Sequence, residues 1–264
     1  MEYESLIRLG VFVGLFCLLA LAELARPRRR LRVSKPRRWL TNWALVLIDN
    51  ASLRLLSLVL PFLAVGAAVT AADSGWGLFN WLDLPWLLEL IAAMLLLDLA
   101  IWAQHLVTHK IPILWRLHRV HHADRDFDVT TALRFHPVEI LLSMLWKVVL
   151  VYAIGPSALA VILFEIMLNG TAMFNHANLA LPKRLDRIIR AVLVTPDMHR
   201  VHHSTNRVEH DSNYGFALSI WDRLFGTYRA QPNDGHDAME IGLEWQDDRP
   251  NRLTWSLALP FFRK

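Results

Sequence analysis

The fold that this sequence predicts is an all-α integral membrane protein with about four transmembrane helices. They are two full spans plus a helical hairpin after the third helix, topped by a cytoplasmic helical cap that carries histidine clusters. Three observations predict it. Hydrophobic residues make up 54 % of the 264 residues, above the usual share for a soluble globular chain. Apolar runs of about bilayer-spanning length recur along the chain. A dense basic block follows the first of them at once, as in a positive-inside loop.

The first run, Leu6 to Ala25, is nearly uncharged. Ala20 and Ala22 offer an A-x-A pattern, but the start is acidic rather than basic, so a retained helix is expected rather than a cleaved signal. The basic block is Arg26, Arg28, Arg29, Arg30, Arg32, Lys35, Arg37 and Arg38. The second apolar stretch, Leu40 to Ala72, carries Asp49, Asn50 and Arg54, with Pro61 midway. A kinked or tilted helix is expected there, entering from the basic side. The linker Asp73 to Asp83 has no Lys or Arg, and Trp76, Trp81 and Trp86 read as interfacial anchors on the far side. A third helix runs from about Leu84 to His109. Val138 to Ala177 is apolar and broken by Gly155-Pro156, which reads as a helical hairpin. Residues 1–83 thus form N-terminal membrane helices with a basic cytoplasmic loop, and residues 84–264 form a catalytic domain.

This topology closes consistently. With the basic block cytoplasmic, the second helix goes out and the third returns. His105 to His136 then lie on the cytoplasmic side, and the hairpin brings His176 and His199 to His203 back to it. A multi-pass protein with a cytoplasmic catalytic face is expected. The net charge of +4 could suggest nucleic acid, but no nucleic-acid motif accompanies it and its placement fits a membrane loop. The single cysteine, Cys17, excludes an internal disulfide and a Cys-rich metal site. Any metal must be held by histidine nitrogen, with oxygen as the other available donor.

Histidine is concentrated at helical spacings. His105 and His109 form an HxxxH pair, and His118, His121 and His122 form an HxxHH cluster. His199, His202 and His203 form a second one with the same Arg-Val filler. Positions i, i+3 and i+4 share one helix face, so each cluster is expected to aim its imidazoles at one point. Eight histidines exceed the four ligands of a tetrahedral zinc; two adjacent metals taking four or five each would use them. His176, at the returning end of the hairpin, is a natural ninth ligand. His136 is balanced between ligand and supporting residue, whereas His210 and His236 read as solvated loop histidines. Asp98, two turns before His105, either orients a ligand imidazole or pairs with an unrelated polar group. Imidazole suits iron, zinc, copper and nickel alike, so spacing does not name the metal.

The order HxxxH, HxxHH, a histidine after the hairpin and a second HxxHH resembles the membrane fatty acid hydroxylase and sterol desaturase superfamily. Leu114-Trp115-Arg116-Leu117-His118, Arg134-Phe135-His136-Pro137, Asn213-Tyr214-Gly215 and Trp221 to Tyr228 support it. The likeness covers about Leu84 to Tyr228, with the tail through Ile241-Gly242-Leu243. It implies two iron ions that activate dioxygen for attack on an unactivated C–H bond, with zinc as a possible substitute in purified protein. On that pattern His105, His109, His118, His121, His122, His176, His199, His202 and His203 are ligands. The expected function is oxygen-dependent hydroxylation of a fatty acyl chain, sterol or related lipid, with desaturation on the same centre as the alternative. No haem-binding domain is recognisable, so a separate ferredoxin or cytochrome with its reductase is expected to deliver electrons to the basic face.

Two other classes are disfavoured. A membrane zinc hydrolase would use the HExxH glutamate, which His105-Leu106-Val107-Thr108-His109 lacks. A metal transporter places its ligands near the bilayer midplane, whereas these clusters gather at one face.

Overall fold

The computed structural model describes residues 3–59, 63–82 and 84–262, which are largely helical with no β-strand among them. The helices that set the architecture are α1 (Glu4–Ala25), α2 (Lys35–Val59), α3 (Ala64–Asp73), α4 (Leu78–Trp81) and α5 (Trp86–Lys110). They continue with α6 (Pro112–His122), α7 (Pro137–Ile154), α8 (Ala158–Asn175), α9 (Lys183–Arg190) and α10 (Pro196–His202). Among the described residues, α1, α5, α7 and α8 are long and apolar enough to cross a membrane. Their number agrees with the expected count of about four, and α7 and α8 form the expected hairpin, but the Leu40 to Ala72 stretch is not among them.

Proline and glycine punctuate the chain where a helix must stop or turn. Ile111 is extended, and Pro112 opens α6 at a position where its missing N–H costs nothing. Pro137 and Pro196 open α7 and α10 in the same way. α7 ends at Gly155 in the left-handed region (φ +67°), and Ser157 caps α8.

The second apolar stretch departs from expectation. Its described residues form two helices, α2 and α3, rather than one spanning helix, and Pro61 lies outside the described residues. Asp49, Asn50 and Arg54 make α2 too polar for a lipid-facing span. Both helices pack against α7, and α3 also packs on α8.

Together they still carry the chain from one end of the bundle to the other. At the far end, Gly77 lies so close to Gly155 that a Cβ on Gly77 would overlap the Gly155 backbone. There Glu89 accepts the Ser157 N–H at 2.7 Å, and Trp76 packs edge-on against Tyr152. Trp76, Trp81 and Trp86 are exposed beside this end, as interfacial anchors should be. At the opposite end, Glu23 of α1 accepts the N–H groups of Val129 and Asn178, both at 2.7 Å. Arg38 of α2, fully buried, donates to Asp124 (2.7 and 2.9 Å) and Asp128 (2.8 Å). Burial pushes the Asp124 carboxyl up, but the Arg38 guanidinium outweighs it and holds the group at about 2.

The basic block is therefore only partly a free surface. Arg28 pairs with Asp197 and Asp237, Arg29 donates to the Met239 carbonyl and Arg38 is buried, which leaves Arg26, Arg30, Arg32 and Arg37 exposed. Arg119 and Arg200, the arginines inside the two HxxHH clusters, are buried as well.

The Gly77–Gly155 contact predicts that Gly77→Ala destabilises the bundle by about 2 kcal/mol or more, through overlap and a positive φ. Thermal unfolding of the purified protein in detergent checks this; Gly10→Ala, where a Cβ meets nothing within 4 Å, serves as the neutral control.

Candidate metal centre

The nine histidines meet at the end of the bundle opposite the hairpin turn. Each lies on or just past a helix end: His105 and His109 on α5, the HxxHH residues on α6 and α10, and His176 immediately after α8. They form two groups. His105, His109, His118, His122 and His202 each bring one ring nitrogen to one point, and His121, His176, His199 and His203 do so at another. Within each group the donor atoms lie within 4.8 Å of one another, and all nine residues are buried. The groups are neighbours, since the rings of His122 and His203 stack with centroids 4.5 Å apart.

This geometry corrects one expectation. Each HxxHH cluster divides between two points instead of aiming at one. His118 and His122 go to the first group and His121 to the second; His202 goes to the first, and His199 and His203 to the second. The i, i+4 pair is what shares a site in each helix, and the intervening histidine is turned toward the other.

The outer nitrogens explain what the inner ones can do. His105 Nδ1 donates to the Tyr214 carbonyl at 2.7 Å, and His202 Nδ1 to the Ser212 carbonyl at 2.6 Å. His121 Nδ1 donates to the Arg134 carbonyl at 3.1 Å and His176 Nδ1 to the Ala172 carbonyl at 2.7 Å. His118 Nδ1 donates to Glu139 at 2.6 Å. With the proton on Nδ1, each Nε2 presents a lone pair. Yet His105 Nε2 faces those of His118 and His202 at 3.1 and 3.0 Å, and His176 Nε2 faces that of His121 at 3.1 Å. Two lone pairs cannot hydrogen-bond, so each close approach needs a cation between them. Both ring nitrogens of His109, His122 and His203 are likewise buried without a partner.

Burial keeps these rings neutral and ready to ligate. It takes His118 and His176 down to about 3. Burial, reinforced by neighbouring imidazoles, holds His121, His122, His199, His202 and His203 well below the ordinary range. Nitrogens about 2.1 Å from a shared ion are about 3.0 Å apart at right angles and about 3.4 Å apart in a tetrahedron. The five-histidine group exceeds the four ligands of a tetrahedral zinc, and the donor set is compatible with iron.

A loop braces the α5 and α10 histidines. Asp222, fully buried, accepts the N–H groups of Tyr214 and Gly215 at 2.8 Å, Trp102 Nε1 at 3.0 Å and the Thr227 hydroxyl at 2.7 Å. Asn213 sits at φ +53°, and its amide bonds the Met198 and Arg229 carbonyls at 2.8 Å. The Asn-Tyr-Gly and Trp-Asp-Arg segments thus form one clasp, aiming the Ser212 and Tyr214 carbonyls at His202 and His105.

Other placements differ from the sequence reading. His136 caps α7, with Nδ1 accepting the Val138 N–H and Nε2 bonded to the Leu257 carbonyl, and the structure brings it to neither group. Asp98 does not orient a ligand imidazole; it accepts Trp221 Nε1 at 2.8 Å and the Leu218 N–H at 3.2 Å. His210 and His236 are buried, not solvated. His210 approaches His109 and Asp211 as a third group, which overlaps the first. Glu139 was missed, though an acidic residue in an apolar helix was a usable signal, as it was for Asp98.

The protein-family model for fatty acid hydroxylase matches residues 90–227, which contain all nine histidines. This chain belongs to the fatty acid hydroxylase family. It is 34 % identical to human alkylglycerol monooxygenase over 161 residues, covering 58 % of this chain and 33 % of that protein. It is 26 % identical to the ornithine lipid hydroxylase of Rhizobium tropici over 181 residues, covering 68 % of this chain and 52 % of that one. Cholesterol 25-hydroxylase of Rattus norvegicus is 27 % identical over 148 residues, covering 55 % of this chain and 48 % of that protein. The chain thus spans about a third of the length of the alkylglycerol monooxygenases it matches. No solved structure matches it.

Glu139→Leu removes the acceptor of the His118 Nδ1–H. It is expected to weaken metal retention about 10- to 100-fold, read as metal per chain after dialysis against graded chelator. Asp222→Ala leaves several buried donors unpaired and is expected to lower stability by about 3 kcal/mol or more, read by thermal unfolding; unchanged melting would refute the clasp.

Proposed function

We propose that this protein is a membrane-bound, oxygen-dependent lipid hydroxylase working on two iron ions, one per histidine group. The observation that carries the reading is the paired set of Nε2 lone pairs facing one another at about 3 Å with their protons held on Nδ1. When bound, the iron pair would supply reductive activation of dioxygen. One oxygen atom then enters a C–H bond and the other leaves as water, with two electrons and two protons from a donor. Relatives named as monooxygenases and hydroxylases of alkylglycerol, ornithine lipid and cholesterol support a lipid substrate, a fatty acyl chain, sterol or related molecule.

The protein's own part is to orient, exclude water and admit lipid. The Tyr214, Ser212, Arg134 and Ala172 carbonyls fix the tautomer and ring angle of His105, His202, His121 and His176, so these four need not reorganise when metal binds. Phe216 and Phe135 pack on His105 and His121 and exclude water beside the ligands. A groove of about 290 Å³ opens between α5, α6 and α7, lined by Val107, Leu114, Leu117, Leu142 and Trp146. It shares Gln104, Thr108 and Glu139 with an inner cavity of about 180 Å³ that reaches His105 and His118. The shared lining supports passage of a hydrophobic chain from the bilayer toward His105 and His118. Residues 84–264 would form the catalytic unit, with 1–83 as the membrane brace.

The exposed Arg30, Arg32 and Arg37 at the histidine end support a cytoplasmic site by the positive-inside rule. A separate reduced ferredoxin or cytochrome would dock there. Beside it, a cleft of about 780 Å³ lined by Lys110, Arg116, Arg119 and Arg207 leads to His109, and an acidic donor would be steered toward it.

Purified protein is expected to carry about two irons per chain and to consume dioxygen only with reductant and lipid, placing ¹⁸O from ¹⁸O₂ in the product. Zinc alone, with no oxygen use after iron reconstitution, would sink the reading. His118→Ala and His199→Ala each are expected to lose metal and activity, while His236→Ala keeps both. For the donor, Arg116→Glu with Arg207→Glu is expected to slow reduction by an acidic ferredoxin about tenfold and to flatten its salt dependence. Unchanged rates in stopped-flow reduction would exclude that docking surface.

A further inference from the structure

The cavity beside the first histidine group has a polar far end within helices that are otherwise apolar. On α7, Glu139, Ser143 and Lys147 follow at four-residue steps on one face, and all three line this cavity. Glu139 holds His118. Lys147 lies eight residues on, about 12 Å further along the helix. Its ammonium bonds Glu165 of α8 at 2.7 Å, and Glu165 in turn bonds Arg8 of α1 at 2.5 Å. Glu165 is nine-tenths buried. Asn169, one turn beyond Glu165 on α8, and Gln104 of α5 complete the polar lining.

Charged side chains inside a membrane helix are costly; they pair with one another, face the bundle interior or a cavity, and mark substrate paths. Lys147 does both, pairing with Glu165 and lining the cavity. An ammonium has three donors, and Glu165 takes one of them. The Glu165 carboxylate between Lys147 and Arg8 also offsets the local positive charge, so this end suits a hydrogen-bond acceptor and not specifically an anion.

We propose that Lys147, steadied by Glu165, is a specificity-determining residue that binds an oxygen atom of the lipid about 12 Å from the carbon presented to the His105–His118 side of the centre. The substrate class is then a slender lipid with a hydroxyl or carbonyl oxygen remote from the oxidised carbon, and not a plain hydrocarbon chain. This rests on the cavity being the lipid site of the hydroxylase reading above.

Binding tests it independently of turnover. The probe is a fatty alcohol with a diazirine about ten carbons from its hydroxyl, photolysed with the purified full chain in detergent, with and without iron. Labelling is expected in peptides containing Gln104 and Phe135. Dodecan-1-ol should compete at least about fivefold better than dodecane. That ratio should collapse toward one in Lys147→Met and persist in Lys147→Arg. Arg8 still pairs with Glu165 in Lys147→Met, so the helices keep a compensated carboxylate. Dodecanoate as a third competitor separates a carboxylate source of the oxygen from a hydroxyl source. Equal competition by dodecane, or an unchanged ratio in Lys147→Met, would overturn the proposal and leave Lys147–Glu165–Arg8 as a structural bridge. Correct labelling with no oxygen consumption would overturn the hydroxylase reading instead.

Discussion

Everything at the centre depends on where five protons sit. Four backbone carbonyls and one carboxylate hold them on the outer nitrogens of His105, His202, His121, His176 and His118. The inner nitrogens of these five are then bare and mutually repelling at about 3 Å. Without a cation, the repulsion and the burial of nine imidazoles oppose folding; with one, both become ligation energy. The loops and caps around the histidines are explained by the need to aim those acceptors.

That aim is secured by a second layer of buried polar contacts rather than by apolar packing alone. Arg134 uses its guanidinium to hold the Val120 and Pro250 carbonyls, Asn42 and Ser256, while its own carbonyl receives His121. Asn42 in turn touches Asp124 and Thr130. One network thus links α2, α6, the loop before α7 and the C-terminal segment to the His121 imidazole. Such networks are rigid when complete, and removing one member strands the rest. The apolar C-terminal end joins this layer: Leu259 and Phe262 offer carbonyls to Arg119, and Pro260 offers one to Arg116.

The helical architecture and the meeting of the histidines were legible in the sequence because both follow from periodicity and bilayer length. Leu6 to Ala25 became α1 within two residues, and the Gly155-Pro156 break marked the hairpin turn. The partition of each HxxHH between two points was not legible. It depends on how α5, α6 and α10 cross, which helix spacing does not encode. Nor were His136 as a cap or the two-helix form of residues 40–72. The same holds for the arginines: Arg38, Arg119 and Arg200 look like surface charge until tertiary partners appear. Asp98 and Glu139 show the limit most clearly. Both are acids in apolar helices; one anchors a tryptophan and the other the His118 imidazole, and only tertiary structure separates them.

The burial of Arg38 has a consequence for how the protein is made. Its carboxylate partners, Asp124 and Asp128, lie 86 and 90 residues later in the chain. A guanidinium buried without these carboxylates would be an uncompensated charge, so the start of α2 can settle into the core only once α5 and α6 exist. Its docking is a late, long-range step that fastens α2 to the loop following α6.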